Sequence, residues 1–182
     1  MTADKQAFAR SLWRYIGQER PPFAAEPAPG QESVWDYPRP PRLQVDAREV
    51  IVRLGETEIA RSTHAIRVLE TASPPTFYLP REDVRVDLLQ PSHGSSMCEW
   101  KGQARYWSVV AEDQKLEGAA WVYPDPLPDF EAIRGHFAFY PTQLACFVDG
   151  VRALPQPGRF YAGWVTPELV GPFKGEPGSQ GW

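Results

Sequence analysis

The chain has 182 residues, a formal net charge of −4, and a hydrophobic share of 42% against a charged share of 23%. That is enough for one domain whose core needs no metal or disulfide staple. The acidic balance speaks against a nucleic-acid polymer as partner, because phosphate contacts demand clustered Lys and Arg. The 20 Pro, 14 Gly and 7 Trp disfavour a helical bundle and favour short strands joined by rigid turns.

Residues 4–16 read as a helix, with Phe8, Leu12, Tyr15 and Ile16 at helical spacing. Thr2 is available as its cap, Gly17 as its stop and Trp13 as a bulky anchor, so the helix is expected to dock over one edge of the domain. Residues 20–41 follow with Pro at 21, 22, 27, 29, 38, 40 and 41. Such a segment cannot sustain a hydrogen-bond ladder and runs as an extended, polyproline-like arm. Phe23, Trp35 and Tyr37 are expected to hold it against the body.

The strand signals lie in residues 43–154. Glu49–Leu54 and Glu58–Ser62 flank Gly55-Glu56-Thr57 as a hairpin, and Ile66–Leu69, Thr76–Leu79 and Val84–Leu89 follow at short spacing. Ala104–Val110 and Leu116–Tyr123 are two longer strands, and Phe137–Tyr140 is short and aromatic. Cys146–Val148 and Val151–Ala153 bracket Asp149-Gly150, the strongest two-residue hairpin signal in the chain. About ten short strands imply antiparallel sheets folded on each other. Residues 155–182 form a second extended arm, rich in Pro and Gly. Phe160, Tyr161, Trp164, Phe173 and Trp182 imply that it packs on the domain or on a neighbouring subunit, since burying them is what offsets the ordering entropy. The division is therefore 1–42, a helix and proline-rich arm; 43–154, the β domain; and 155–182, a C-terminal arm.

Lys5, Arg10 and Arg14 interrupt any signal peptide at the start of the chain, and no apolar run approaches the roughly 20 residues that span a bilayer. Cys98 and Cys146 stand far apart with no C-x-x-C, which is neither a disulfide framework nor by itself a zinc site. The expected protein is cytoplasmic, with no membrane partner, no metal and no cofactor.

Between residues 43 and 153 the order and spacing of several motifs resemble one uncharacterised family. They are Ser62, Val68-Leu69-Glu70, Tyr78-Leu79-Pro80-Arg81-Glu82-Asp83-Val84, the run from Cys98 to Trp107, Trp121-Val122-Tyr123-Pro124-Asp125-Pro126, and Phe139-Tyr140. The family is domain of unknown function 427. The arms, with Phe160-Tyr161-Ala162-Gly163-Trp164 and Gly171-Pro172-Phe173-Lys174-Gly175, resemble its extended cyanobacterial form. The resemblance implies a mainly β fold of two antiparallel sheets packed at an angle, a β-tent, here with one N-terminal helix and extended arms. Relatives of that architecture cage ligands with aromatic side chains and pin their sheets with zinc on paired C-x-x-C motifs. With Cys98 and Cys146 alone, this chain is expected to replace zinc by aromatic packing. One label for the family speaks of nucleotidyl transfer, for which the chain has no Gly-Ser or paired-Asp motif.

The richest stretch for chemistry runs from Cys98 to Trp107 and is echoed at Trp121 and Tyr123. On an extended strand Trp100, Gly102, Ala104 and Tyr106 share one face, and Lys101, Gln103, Arg105 and Trp107 the other. Gly102 and Ala104 between large aromatics leave either a dent where a planar ligand stacks or room for a neighbouring element to approach. Lys101 among Trp100, Trp107 and Trp121 is expected to be partly desolvated, with a lowered pKa, and so able to orient an anion or act as a base or Schiff-base amine. A cation–π contact is the plainer alternative. Cys98, with His93 and Lys101 near it in sequence, is a candidate nucleophile or else a small buried hydrophobe. Glu70, at the end of an apolar strand, must be paired or functional.

Three functions compete. The first is a small-molecule-binding β module walled by Trp100, Gly102, Tyr106, Trp107, Trp121 and Tyr123 and anchored by Lys101, taking a small planar or anionic ligand. The second is an enzyme using Lys101, Glu70 or Cys98 for acid–base or covalent chemistry. The third is a scaffold that forms homo-oligomers through its arms. Lys101 and Glu70 within hydrogen-bond reach of each other favours the enzyme; Lys101 alone among aromatics favours binding.

Overall fold

The structure is a computed structural model that describes residues 3–158 and 160–182. Pro and Gly punctuate the chain so often that no strand among the described residues exceeds ten residues. Helix α1 (Ala3–Ser11) precedes β1 (Glu32–Ser33), β2 (Arg42–Asp46), β3 (Val50–Leu54), β4 (Thr57–Ser62), β5 (Ala65–Glu70) and β6 (Ser73–Tyr78). Then come β7 (Leu89–Cys98), β8 (Gly102–Ala111), β9 (Gln114–Val122), β10 (Ala138–Phe139), β11 (Ala145–Val148) and β12 (Val151–Arg152). The C-terminal arm adds β13 (Leu154–Pro155), β14 (Trp164–Val165) and β15 (Leu169–Val170).

The fold is mainly antiparallel β with one short N-terminal helix, and its strands divide more finely than two sheets. One four-stranded sheet runs β10-β9-β8-β7, a second β12-β11-β3-β4, and a three-stranded sheet β2-β5-β6. Two ribbons complete it: β13 with β14, antiparallel, and β1 with β15, parallel. The hairpin at Asp149-Gly150 forms as expected, with both residues at positive φ (47° and 75°), the conformation that a type I′ turn requires. The main core lies where the two four-stranded sheets meet and gathers Val52, Ile59, Phe77, Val109, Phe137 and Phe139.

Four expectations need correction. The helix ends at Ser11 rather than residue 16, and its stripe of Phe8, Leu12 and Ile16 faces solvent. It docks instead by its polar side: Gln6 and Arg10 donate to the Glu99 carbonyl, and the Arg10 guanidinium stacks 4.8 Å from the Trp100 ring centroid. Thr2, the expected cap, lies outside the described residues. The segment Val84–Leu89 is not a strand; a 3-10 turn spans Val86–Leu88 and the strand begins at Leu89. That strand, β7, carries Pro91 and Gly94 with a bulge between Pro91 and Ser95, features tolerated because β7 is the free edge of its sheet. Finally β2 is a strand that its sequence does not announce, with only Asp46 fully buried.

Both arms pack on the body through aromatic side chains. Trp35 is 1% exposed, donates its indole N–H to the Pro172 carbonyl at 3.1 Å, and meets Tyr15, Phe23 and Trp182 at centroid distances of 5.1–5.3 Å. Trp164 is fully buried against Phe77, 4.9 Å between centroids, and donates to the Phe139 carbonyl. Gly175 sits at φ +104° with the Pro157 backbone where a Cβ would go, so the arm folds back on itself only with glycine there.

Trp164→Ala should therefore cost about 3–5 kcal/mol, as large aromatic truncations in a core do. Phe160→Ala, at a position 81% exposed, should stay within about 0.5 kcal/mol. Urea denaturation of the two variants beside the parent measures both; equal losses would mean that Trp164 does not pin the arm.

Candidate functional site

Strand parity builds the first wall of a cavity. Tyr106 on β8 pairs with Trp121 on β9, so the two side chains leave the same face of the sheet, and Tyr123, two residues on, continues that face. Ala104 lies on the same side and leaves space before them. Tyr78 from β6 crosses over, its hydroxyl accepting the Trp121 indole N–H at 3.3 Å with the rings edge to face. Tyr140 packs 4.6 Å from Trp121. The half-open cavity measures about 670 Å³, within the span of small-molecule sites.

The connection Glu99–Lys101, between the paired Cys98 and Gly102, brings in the charged group. Gly102 closes this turn at φ +98°, a conformation that L residues rarely adopt. Asp125–Leu127 lies against it, and the Leu127 N–H donates to the Lys101 carbonyl at 3.1 Å. Gly102 thus serves the turn and the approach of this segment and does not line the cavity. Trp107 does not line it either. It projects to the opposite face of β8, where it meets Phe137 edge-on at 5.5 Å in the main core. Trp100, Lys101, Tyr106, Trp121 and Tyr123 do line it, as do Glu70 and Cys98.

The Lys101 ammonium stands 5.9 Å from the Phe130 ring centroid and forms no ion pair with a carboxylate among the described residues within 4.0 Å. Its expected loss of basicity does not occur. Burial works to lower its pKa and is the largest influence, but Cys98, Tyr78 and Glu70 together outweigh it and leave the pKa raised. The phenols around it move the other way from ionisation: burial pushes Tyr78 up to about 12 and Tyr123 and Tyr140 well above the usual range. At neutral pH the site is thus an ammonium among uncharged aromatic and phenolic groups. The indole N–H of Trp100, also buried, has no acceptor.

The far side of the cavity comes from the two arms. Trp13 donates its indole N–H to the Glu99 carboxylate at 3.0 Å and carries two cations over its ring, Arg39 at 4.2 Å and Lys174 at 3.4 Å. Arg39, whose side chain is 1% exposed, pairs with Glu70 at 3.1 Å and donates to the carbonyls of Tyr15 and Thr71. Glu70 is therefore paired, with Arg39 and not with Lys101. Gln156, buried, receives the Gly163 N–H and donates to the Lys174 carbonyl, which fixes the arm segment bearing Lys174.

The stretch from β2 to β12 supplies most of these walls, and over residues 42–151, more than half of the chain, it matches the family described as a domain of unknown function (DUF427). The chain belongs to the DUF427 family. No curated protein matches it. The family region contains Glu70, Tyr78, Cys98–Lys101, Tyr106, Trp121, Tyr123 and Tyr140, whereas Trp13, Arg39, Tyr161 and Lys174 lie outside it. Sequence reasoning missed these arm residues as parts of a site. The signal for two of them was present, in Phe160-Tyr161-Ala162-Gly163-Trp164 and Pro172-Phe173-Lys174, but nothing local says which wall such segments reach. Among the described residues no helix is long and apolar enough to cross a membrane.

The two cysteines differ in access. Cys98 is half-buried at the cavity, whereas Cys146 is fully buried in the main core, its thiol pushed up by burial. A chromogenic disulfide reagent should titrate one thiol in the folded DUF427 chain and the second only after denaturation. Cys98→Ser should abolish the first reaction; two thiols reacting alike would show that the cavity is not where Cys98 lies.

Proposed function

We propose that this DUF427 chain binds a small planar anion in the aromatic cavity, with Lys101 as its anchor. The supporting observation is an ammonium kept charged at neutral pH, set among Trp and Tyr side chains, and unpaired with any described carboxylate. The carboxylates nearby have partners already, Glu70 in Arg39 and Glu99 in the Trp13 indole. Glu117, which also borders the cavity, pairs with Lys115, so Lys101 is the cation there left for an anion. A ligand carboxylate or phosphate supplies it, and a ring behind that group stacks on the Tyr106–Trp121 wall, where aromatic contact adds about 0.5–1.5 kcal/mol beyond area. The absence of a Lys101–Glu70 pair favours binding over acid–base catalysis by those two residues.

Titration of the full chain with benzoate and indole-3-carboxylate, beside neutral benzamide, tests the reading by tryptophan fluorescence. The carboxylates should quench saturably and the amide should not. Lys101→Met should weaken carboxylate binding by about tenfold or more, since charge-assisted bonds away from water exceed the ~1 kcal/mol limit of exposed pairs. A raised Lys101 pKa means that the ammonium persists, so the loss of affinity on Lys101→Met should be the same at about pH 6 and about pH 9. Equal quenching by the amide, or indifference to Lys101→Met, would overturn the assignment.

A further inference from the structure

Three buried side-chain nitrogens among the described residues lack a hydrogen-bond partner: Arg53 Nε, Arg67 Nε and Trp100 Nε1. The two guanidinium groups still have carboxylates beside them, Glu58 at 3.7 Å from Arg53 and Asp46 at 3.2 Å from Arg67. Trp100 has none, and of the three it alone borders the aromatic cavity. Four other indoles are served: Trp13 by the Glu99 carboxylate, Trp35 by the Pro172 carbonyl, Trp121 by the Tyr78 hydroxyl and Trp164 by the Phe139 carbonyl. A buried N–H without an acceptor is rare, and it carries the full cost of its lost hydration until something accepts from it.

Trp100 is 5% exposed and is the chain neighbour of Lys101 on the turn that the Cys98–Gly102 pair closes. The Arg10 guanidinium covers one face of its ring. The ring edge, where the N–H lies, carries the positive end of the aromatic quadrupole. An orphan donor on such an edge, beside an ammonium, attracts an anion and repels a cation.

We propose that Trp100 is the second anchor of the anion: one oxygen of a ligand carboxylate or phosphate accepts from the Lys101 ammonium, and another accepts from the Trp100 indole N–H. This rests on the reading of the cavity as an anion site, and it narrows the ligand to an oxyanion with at least two oxygens on one centre. The nitrogen is shielded from solvent, so water does not serve it, and the indole turns toward the anion as the anion arrives. The two donors contribute differently. An ammonium is a point charge with three rotatable donors and attracts from many directions, whereas an indole has one N–H in a fixed direction. Lys101 therefore supplies the attraction. Trp100 sets the plane of the oxyanion, and with it the way the attached ring meets the Tyr106–Trp121 wall.

The test follows the indole N–H groups of the full chain by proton–nitrogen correlation spectra during titration with benzoate, with phenyl phosphate in parallel. Trp100→Phe keeps a ring beside Arg10 and deletes the donor, so the resonance that it removes is that of Trp100. Expected is a downfield move of the Trp100 indole proton that saturates together with the fluorescence quenching. It should exceed the moves of Trp35 and Trp164, whose acceptors are main-chain carbonyls. Trp100→Phe should weaken benzoate by about tenfold, because hydrogen bonds to a charged partner are the strong ones. A Trp100 proton that stays in place while benzoate quenches saturably overturns the second anchor and leaves Lys101 holding the anion alone. This outcome decides the matter even if Trp100→Phe loses affinity by disturbing the turn, since the spectrum is that of the parent chain. An affinity of Trp100→Phe within about twofold of the parent overturns it as well. Absence of benzoate binding to the parent overturns the anion site and its second anchor together.

Discussion

The carbonyl oxygen of Glu99 receives three donors, the amide of Gln6 and two guanidinium nitrogens of Arg10, at 2.7–3.0 Å. Bonds from a charged donor are worth about 1.5–3 kcal/mol each, and here they fix a turn of three residues between two ten-residue strands. The same turn offers its carboxylate to Trp13 and places Trp100 and Lys101 on the cavity. A polar helix face, a strand hairpin and the N-terminal arm are thereby tied at one residue. This explains why a helix with an exposed apolar stripe is still held against the domain. Its attachment is made of hydrogen bonds and one cation–π contact, not of buried leucine or phenylalanine.

The cavity follows from that anchorage combined with sheet parity. Every second residue of β8 and β9 turns toward the main core or toward the cavity, so one pair of strands supplies Val109, Ala120 and Val122 to the first and Ala104 and Trp121 to the second. The phenols enclosing Lys101 are too deeply buried to ionise at neutral pH, and they neither neutralise it nor displace it. On the other side Trp13 accepts two cations on its ring, which is possible because an indole offers its electrons without requiring a proton. The cavity thus holds two lysines in unlike surroundings, one whose proton affinity its neighbours raise and one whose proton affinity burial lowers.

Much of this was legible in the sequence wherever the information is local. Asp149-Gly150 announced its turn, Gly55-Glu56-Thr57 its hairpin, and Leu116–Tyr123 read as the strand that carries Trp121. Strand parity put Ala104 and Tyr106 on one face. Trp107 was misplaced by counting aromatics near Lys101 while disregarding that neighbours in a strand point apart. Gly102 looked like the floor of a dent because a missing side chain in sequence does not reveal whether it serves space or a positive φ. β7 stayed hidden behind Ser, Pro and Gly, residues an edge strand can carry because one side of it pairs with nothing. The direction of the Lys101 shift depended on Cys98 nearby and on Tyr78 and Glu70, which come from other strands. Lys174 was out of reach for the same reason: 73 positions of chain separate the two lysines, and only the packed arm brings them to one cavity.

The ribbon of β1 and β15 joins Glu32 to Leu169, and the indole of Trp35 waits for the carbonyl of Pro172. On the ribosome, the N-terminal arm emerges first and finds its partners last. The hairpins of the central region close over short loops, whereas the arms must close over nearly the whole chain, and such distant contacts form slowly. During synthesis the DUF427 core can therefore assemble with the wall bearing Lys101 in place while the wall bearing Lys174 has yet to be made. The order of translation leaves the cavity open on one side until the segment bearing Lys174 appears.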